Sequence, residues 1–460
     1  MDKKYIFYLL TGDKTYIGSS FLRFINSFFL FLCQGIIMDY ENYCIGQLEN
    51  KFKAYYGNLD IDIAQVKQDE ADINAYPNLD KLEPISEERV IILDKEDTLP
   101  AEKAIIEGRF FWEHACAGEA TRLGLGTKFL QDPSKFDAGF LREHLKDVMP
   151  DDKLASFLSD LPKLRDLTLG SRHMMQMAYD VKRIAEKHGD DPDTVLKRQH
   201  TLVIVNEQSS QQVIDEFKKH DLYGLDPDKV FFMVQKSFHG IDIVDGKLQF
   251  VDGDNKRLHN HGQMVMQKAE EGMFTVDGPV SKERFREILE HHDDLLSFNI
   301  EDLGYLTGSV DLESLSLALR LGKEGYDMVM EVVAQDPDNP IKGGACFYDP
   351  VLERPVMIES FQLKGIKNED IKHLNKNFNH YPNPVESFRM LEKGLPMPFT
   401  IKTMDGKDYI YPCPVQGDMN FLVKTAYVMR KVPQPIKAWK SAKNTPDLIR
   451  ACKKQDELHG

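Results

Sequence analysis

From about residue 110 onward, short apolar runs alternate with amphipathic segments, and this alternation restricts the fold more than any other feature of the sequence. Thr201–Val205 (TLVIV) and Val230–Val234 (VFFMV) have the length and composition of buried strands. Between them, Ser209–Lys219 carries its apolar residues on one helical face. Strands separated by helices predict a mostly parallel sheet with helices on both faces. In such folds, ligands bind on the loops that follow the carboxyl ends of the strands.

The pattern continues downstream and includes antiparallel hairpins. Leu312–Leu321 is a predicted helix and Met328–Val333 a predicted strand. Asp245-Gly246 between IDIV and KLQFV is a strong hairpin signal, and 400–411 (TIKTMDGKDYIY) predicts another hairpin. We therefore divide the chain into a loose or mis-assigned arm, an N-terminal extension, a core and a small C-terminal region, which span residues 1–37, 38–105, 106–395 and 396–460.

The first 37 residues contain an apolar stretch that is too often interrupted to predict a membrane span. Arg23, Asn26, Ser27 and Gln34 break the run at 21–37, which falls short of the roughly 20 clean apolar residues a spanning helix needs. The run is rich in aromatic residues, and no small-x-small cleavage site of a signal peptide follows it. We expect these residues to be dispensable for folding.

Charge and cysteine content exclude several classes of protein. The chain has 58 Lys and Arg against 74 Asp and Glu, a net charge of −16, so neither nucleic acid nor an anionic membrane is an expected partner. No two of the six cysteines have zinc-site or CxxC spacing. Reduced thiols are typical of cytoplasmic proteins, and we predict that location.

The segment 117–128 (AGEATRLGLGTK) has the composition of a phosphate-binding loop. Its small residues would allow backbone N–H groups to approach a phosphate closely. Arg122 and Lys128 supply positive charge to neutralise that phosphate. The spacing matches neither a P-loop nor a dinucleotide-binding GxGxxG, and taken alone it is also that of an ordinary turn.

This loop resembles the nucleotide loop of the UDP-sugar pyrophosphorylases, in which GGxGTRLG is followed by PK. Ala117 and Ala120 replace two of the family's glycines, and Thr127 replaces its proline. The matching residues are Gly118, Thr121, Arg122, Leu123, Gly124 and Lys128.

Further segments resemble the family in its own order, and they cover most of the chain from about 112 to 449. NIEDLG at 299–304, VDL at 310–312, VMEV at 329–332 and KGG at 342–344 are similar to its glucose branch. The other similar positions are Gln235, NHGQ at 260–263, NFN at 377–379, PIK at 435–437 and KNTPDL at 443–448.

The resemblance implies an α/β fold: a glycosyltransferase-A-like, doubly wound mixed sheet with an N-terminal helical extension and a small C-terminal β-containing part. It also implies that UTP and glucose-1-phosphate react, with Mg²⁺, to give UDP-glucose and pyrophosphate. In such a phosphoryl transfer, catalysis consists mainly of positioning and of stabilising negative charge with cations. Two alternatives remain open: a uridylyltransferase for another sugar-1-phosphate such as N-acetylglucosamine-1-phosphate, and a catalytically degenerate relative that binds nucleotide sugars. The altered residues Ala117, Ala120 and Glu301 would favour the degenerate relative.

By resemblance, each part of the reaction has candidate residues. Glu301 would bind Mg²⁺, with Asp302 in support; the family has Asp and Asn at these positions. The candidate catalytic cations are Arg122, Lys128, Lys437 and Lys443, and the sequence does not distinguish between the last two. The candidate substrate-binding residues are Gly118, Thr121, Gly124, Gln235, His261, Gly262, Asn299, Lys342 and Asn379. Asn206, at the end of the TLVIV strand, is a further candidate for binding a hydroxyl group.

Other acidic and histidine clusters compete for the metal. These clusters are His259–His261, His291–Asp294 and Asp252–Asp254. None has a third ligand at diagnostic spacing, and the DGD at 252–254 has the composition of a turn.

Overall fold

The computed structural model describes residues 40–119, 124–159, 164–269, 272–335, 343–432, 434 and 438–459. Within this part of the chain, thirteen strands form one mixed sheet, and smaller sheets of four and two strands flank it. In chain order the strands are β1 (Glu83–Pro84), β2 (Ile91–Leu93), β3 (Phe110–Ala115), β4 (His200–Asn206), β5 (Val230–Gln235), β6 (Ser237–Phe238), β7 (Gly240–Val244), β8 (Lys247–Val251), β9 (Arg257–Leu258), β10 (Met273–Thr275), β11 (Gly278–Val280), β12 (Asp294–Asn299), β13 (Met328–Ala334), β14 (Gly344–Asp349), β15 (Arg354–Glu359), β16 (His373–Tyr381), β17 (Phe399–Met404), β18 (Lys407–Pro412) and β19 (Thr425–Arg430).

Helices lie between the strands along the chain, and further helices precede the first strand and follow the last. In order they are α1 (residues 40–56), α2 (Ile63–Asn74), α3 (Leu99–Ile106), α4 (Ala138–Leu145), α5 (Asp151–Ser159), α6 (Leu169–His188), α7 (Pro192–Leu196), α8 (Ser210–Lys219), α9 (His261–Lys268), α10 (Lys282–Leu289), α11 (Leu312–Lys323), α12 (Pro384–Leu391) and α13 (Thr445–His459). No helix of the described residues is long and apolar enough to cross a membrane.

The main sheet has the order β11-β10-β5-β4-β3-β12-β16-β13-β19-β2. Its central strands β5, β4, β3 and β12 are parallel to one another, whereas β16 is antiparallel to both β12 and β13. The predicted mixed, doubly wound α/β fold is therefore confirmed. The hairpin at Asp245-Gly246 is confirmed as well, and both residues adopt the positive φ that its turn requires.

Apolar runs become strands here because both faces of the sheet are covered. Every residue of β3 is buried, and only the first residue of β4 is partly exposed. Glu113, in the middle of β3, is tolerated because Lys268 of α9 reaches it across the core at 2.6 Å. The helix and strand predicted at 312–321 and 328–333 correspond to α11 and β13.

The regions at both ends pack against this sheet. In the N-terminal extension, α1 and α2 form the helical part that the resemblance implied, and the first 37 residues lie outside the described part of the chain. Near the C-terminus, β19 joins the main sheet beside β13, and the β17–β18 hairpin pairs with β7 in the four-stranded sheet.

Candidate active site

A cavity of about 400 Å³ opens at the carboxyl ends of the central parallel strands. This is the edge of an α/β sheet at which ligands usually bind. The lining residues follow β3, β5 and β12 or come from the loops and helix that surround these strand ends: Ala115, Ala117, Gly118, Glu119, Lys128, Gln235, Leu258, His259, Asn260, His261, Met264, Asn299, Ile300, Glu301 and Lys440.

Glu301 lies between two lysines in the wall of this cavity. The Lys128 Nζ donates a hydrogen bond to Glu301 Oε2 at 2.6 Å, and the Lys440 Nζ lies 3.3 Å from Oε1. Burial by itself would raise the pKa of the Glu301 carboxyl, but Lys440 and Lys128 outweigh it and hold the pKa below its ordinary value. The cavity therefore contains an ionised carboxylate and two cations that anionic substrates can attract.

Lys440 is a cavity residue that the sequence analysis did not identify. The main chain before it is docked on the loop after β12, because Asp302 and Ala438 form an antiparallel bridge and the Trp439 N–H donates to the Glu301 carbonyl at 2.8 Å. The Trp439 indole is fully buried and donates to Thr445 Oγ1 at 3.1 Å. These contacts place the half-exposed Lys440 side chain beside Glu301.

The structure gives different positions to the two lysines that sequence reasoning could not separate. Lys443 is exposed in the helical turn Ala442–Asn444 and does not line the cavity. Lys437 lies outside the described residues. Lys440 is three residues from each of them, and only the three-dimensional docking of Trp439 distinguishes it as the lysine nearest Glu301 among the described residues of this segment.

Asp302 has an environment unlike that of its neighbour. Its side chain is buried and does not line the cavity. Burial, together with the adjacent Glu301 charge, raises the pKa of Asp302 to about 7. Of the two predicted metal-binding residues, Glu301 therefore faces the space that substrates can enter.

The residues around Glu301 fit a magnesium ion whose ligands come mainly from substrate phosphate oxygens and only in small part from the protein. Mg²⁺ commonly uses one or two carboxylates and completes its coordination with phosphate oxygens and water. Glu301 supplies one carboxylate, and nearby Asn299 Oδ1 accepts a hydrogen bond from the Glu301 N–H at 3.2 Å. Across the described residues, no group of three or more His, Cys, Asp and Glu could hold a metal without such help.

The competing clusters have other surroundings. His259 is buried and stacked on Phe238, with ring centroids 4.6 Å apart. The Asp252 side chain is fully exposed. In the third cluster, His292 contacts His200, and Asp294 contacts His380. Both side chains are therefore engaged with other residues of the protein interior.

Segment 117–128 begins and ends at the cavity. Gly118 lines the cavity, and its carbonyl accepts a hydrogen bond from the Lys128 N–H at 3.4 Å. Glu119 and Thr127 form an antiparallel bridge, so the chain turns back on itself and returns Lys128 to the site. Gly124 adopts a positive φ in this turn and does not line the cavity. The predicted site residues Thr121 and Arg122 lie outside the described part of the chain.

Gln235 and the loop before α9 form the opposite side of the cavity. Gln235 and His261 both line it, and burial lowers the pKa of His261, so its ring is neutral near pH 7. Gly262 does not line the cavity: its N–H donates to the Pro414 carbonyl at 2.9 Å, and a Cβ atom there would lie 2.5 Å from the Pro414 carbonyl carbon. Gly262 therefore serves close packing of α9.

Of the remaining predicted substrate-binding residues, Asn299 lines the cavity, and the others lie away from its wall or outside the described residues. Asn206 is buried and donates to the Ala117 carbonyl at 2.9 Å, which anchors the start of segment 117–128. Asn379 is buried in β16 and does not line the cavity. Lys342 lies outside the described residues.

The two glycines allow a test that separates a binding role from a packing role. A Cβ atom on Gly118 would meet no atom within 4 Å and would project into open space. We expect Gly118→Ala to leave the melting temperature unchanged and to weaken nucleotide binding by about tenfold or more, because a methyl group occupies space that phosphate needs. Gly262→Ala is expected to destabilise the fold by about 1–3 kcal/mol through its clash with Pro414. Thermal unfolding and nucleotide titration of both variants check this, and a large loss of stability in Gly118→Ala would contradict it.

The loop that carries Pro414 contains a buried carboxyl group, Asp418, whose Oδ2 accepts the Val415 N–H at 2.8 Å. Burial raises the pKa of Asp418 to about 8; Glu359 adds to the rise and Lys51 opposes it. The unfolded chain releases this proton near pH 4, so between about pH 4 and 8 the contribution of Asp418 to stability falls as pH rises, by at most about 1.4 kcal/mol per unit. Asp418→Asn removes this dependence, and its advantage in melting temperature should grow from pH 5 to pH 8 and then level off.

A control for this measurement is Asp252→Asn, since that carboxylate is fully exposed and should show no such trend. An advantage of Asp418→Asn that stays constant across the same pH range would mean that the Asp418 carboxyl is ionised in the folded protein.

Comparisons with known proteins agree with this architecture. No protein-family model and no curated protein sequence matches the chain. Among solved structures, the uridine diphosphate N-acetylglucosamine pyrophosphorylase of Trypanosoma brucei superposes with a TM-score of 0.59 at 14% identity, covering 84% of this chain and 74% of its own. A UDP-glucose pyrophosphorylase of Leishmania major, solved with UDP-glucose, superposes with a TM-score of 0.54 at 14% identity, covering 83% and 72%. The chain thus has the nucleotidyltransferase fold seen in the UDP-sugar pyrophosphorylases.

Proposed function

We propose that this protein transfers a uridylyl group from UTP to a sugar-1-phosphate, most specifically glucose-1-phosphate, releasing pyrophosphate in a reversible reaction. The observation that carries the proposal is the carboxylate of Glu301, held between Lys128 and Lys440 in a cavity at the carboxyl ends of the parallel strands. The fold shared with UDP-sugar pyrophosphorylases supports it.

The charges in the cavity suit the meeting of two polyanions. A phosphate oxygen of the sugar-1-phosphate would attack the α-phosphorus of UTP, and the bond from that phosphorus to the β-phosphate would break. Lys128 and Lys440 would then leave their pairing with Glu301 and stabilise the negative charge on the transferring phosphate. Glu301, together with phosphate oxygens, would hold Mg²⁺, and the ion would supply further positive charge to the substrates.

The orientation of Gln235 supports uracil as the base. The Gln235 amide nitrogen donates to the His259 carbonyl at 3.2 Å and to Gln263 Oε1 at 3.0 Å. Both amide N–H groups are therefore engaged, and the group left for a ligand is the Gln235 carbonyl oxygen. Uracil presents an N3–H donor to such an acceptor, whereas cytosine presents an acceptor nitrogen at the same position.

The sequence supports glucose-1-phosphate as the sugar substrate, and the state of the cysteines supports a cytoplasmic location. The segments at 299–304 and 329–332 are similar to the glucose branch of the family, which favours glucose-1-phosphate over N-acetylglucosamine-1-phosphate. The five cysteines in the described residues are all buried free thiols, which supports a cytoplasmic location.

Release of pyrophosphate, measured with UTP, CTP, ATP and GTP against a panel of sugar-1-phosphates, tests the proposal. We expect UTP with glucose-1-phosphate to give the highest kcat/KM. Equal turnover with ATP would contradict uridylyl transfer. Thermal stabilisation by UDP-glucose without pyrophosphate release from any pair would identify the protein as a nucleotide-sugar-binding relative that has lost catalysis.

A further inference from the structure

Helix α1 of the N-terminal extension is attached to the core along one stripe. Tyr40, Cys44, Leu48 and Phe52 follow one another at four-residue spacing, which places them on one face, and all four are buried. They belong to the same apolar cluster as residues of the main sheet. The stripe therefore fixes both the position of the helix and the side chain at its first described residue.

Tyr40 reaches the loop that borders the cavity. Its hydroxyl lies 3.0 Å from His259 Nδ1, within hydrogen-bond distance. The Tyr40 ring also stacks on Phe238 at 5.5 Å, and Phe238 stacks on His259. Burial lowers the pKa of His259 to about 3, so this contact involves a neutral imidazole. Tyr40 does not line the cavity itself.

The main chain of His259 in turn holds the side chain of Gln235, which lines the cavity. Its carbonyl accepts from the Gln235 amide at 3.2 Å, and its N–H donates to Gln263 Oε1 at 3.1 Å. The same Gln263 oxygen accepts the second Gln235 N–H, and Gln263 Nε2 donates to the Lys236 carbonyl at 2.7 Å. A displacement of His259 would therefore turn the Gln235 amide and redirect its free oxygen.

We propose that Tyr40 is a positioning residue for nucleotide recognition, which acts through His259 on Gln235. This inference rests on the proposed function, because it assumes that Gln235 contacts the base of a uridine nucleotide. It gives the N-terminal extension a direct part in substrate selection, in addition to its contribution to the apolar core.

Two tyrosines on α1 provide a matched pair of variants. Tyr40→Phe removes the hydroxyl that contacts His259, and Tyr43→Phe removes a hydroxyl that donates to the Leu395 carbonyl at 2.7 Å, on another part of the core. We expect Tyr40→Phe to raise the Kd for UTP about fivefold, the factor that corresponds to one ordinary hydrogen bond, and to reduce the preference for UTP over CTP by a similar factor. Tyr43→Phe should leave both quantities unchanged, and kcat at saturating UTP should be unchanged in both variants.

A double-mutant cycle distinguishes positioning from a general loss of stability. UTP and CTP binding are measured by calorimetry on the wild type, Tyr40→Phe, Gln235→Ala and the double variant. If Tyr40 acts through Gln235, the double variant binds UTP no more weakly than Gln235→Ala. Additive losses, or wild-type binding in Tyr40→Phe, would overturn the inference while leaving the proposed function intact. Failure of the wild type to bind UTP or UDP would overturn the proposed function and this inference with it.

Discussion

Replacing Lys128 by alanine is expected to lower the rate of pyrophosphate release by at least about a hundredfold. Lys128 is buried at the end of segment 117–128, and its Nζ is the nearest described cation to the Glu301 carboxylate, at 2.6 Å. A fixed cation at a transferring phosphate stabilises charge that develops in the transition state, worth roughly 3 kcal/mol.

Lys443→Ala is the control for this variant. Because Lys443 is exposed outside the cavity, its replacement should leave the rate of pyrophosphate release unchanged. Steady-state kinetics with saturating Mg²⁺, together with melting temperatures, would separate lost catalysis from lost stability. Lys440 remains beside Glu301 in Lys128→Ala, so the carboxylate keeps one partner and the fold should persist. We expect a similar loss in Arg122→Ala, and unchanged kinetics in both variants would mean that segment 117–128 is only a turn.

Glu301→Gln is expected to abolish Mg²⁺-dependent turnover and to leave the fold intact. Glutamine has the size of glutamate, and its carbonyl oxygen can still accept the hydrogen bond from Lys128. It lacks the charge that binds a hard divalent cation. It also leaves Lys128 and Lys440 without a carboxylate between them, so phosphate can still bind while the metal does not. We therefore expect the Kd for UTP without metal to be unchanged or lower, and the stimulation by Mg²⁺ to be lost.

Asp302→Asn should be tolerated, because this side chain is buried away from the cavity. The family that segment 299–304 resembles also has Asn at this position. Rates measured over a series of Mg²⁺ concentrations for both variants test the assignment. If Asp302→Asn loses activity and Glu301→Gln keeps it, Asp302 is the ligand. If neither variant loses activity, other residues bind the metal.

Strands β4, β5 and β13 could be predicted from sequence because they are mostly apolar. TLVIV at 201–205 became β4, and VFFMV at 230–234 became β5, each extended by one or two residues. Strand β3, between β4 and β12, was not assigned individually, since Glu113 and His114 interrupt its apolar pattern. The residue that neutralises Glu113 is Lys268, 155 positions away, and no local pattern shows that pairing.

The site was predictable only where residues lie in the segments that resemble the family. Lys128, Gln235, Asn299 and Glu301 all line one cavity, as their positions in those segments suggested. Lys440 was missed because its place depends on how Trp439 docks on the loop after β12, and the motif match pointed to lysines on either side.

Two further residues that the motifs suggested have packing roles in the structure. Gly262 meets Pro414, 152 residues away, and Asn206 anchors Ala117. A glycine that contacts a substrate and a glycine that accommodates a neighbouring backbone look the same in a sequence. Only the atoms opposite the missing Cβ distinguish them.

The anchoring of Trp439 also bears on the order in which the molecule becomes functional. Residues 438–459 follow every strand of the sheet along the chain, and they bring in Lys440 and close the contact with the loop after β12. On the ribosome, the sheet and the rest of the cavity wall would therefore emerge first, with Glu301 lacking its second cation. The wall around Glu301 would be completed only after residues 438–445 have been added, so shorter nascent chains would lack both Lys440 beside Glu301 and the anchored Trp439.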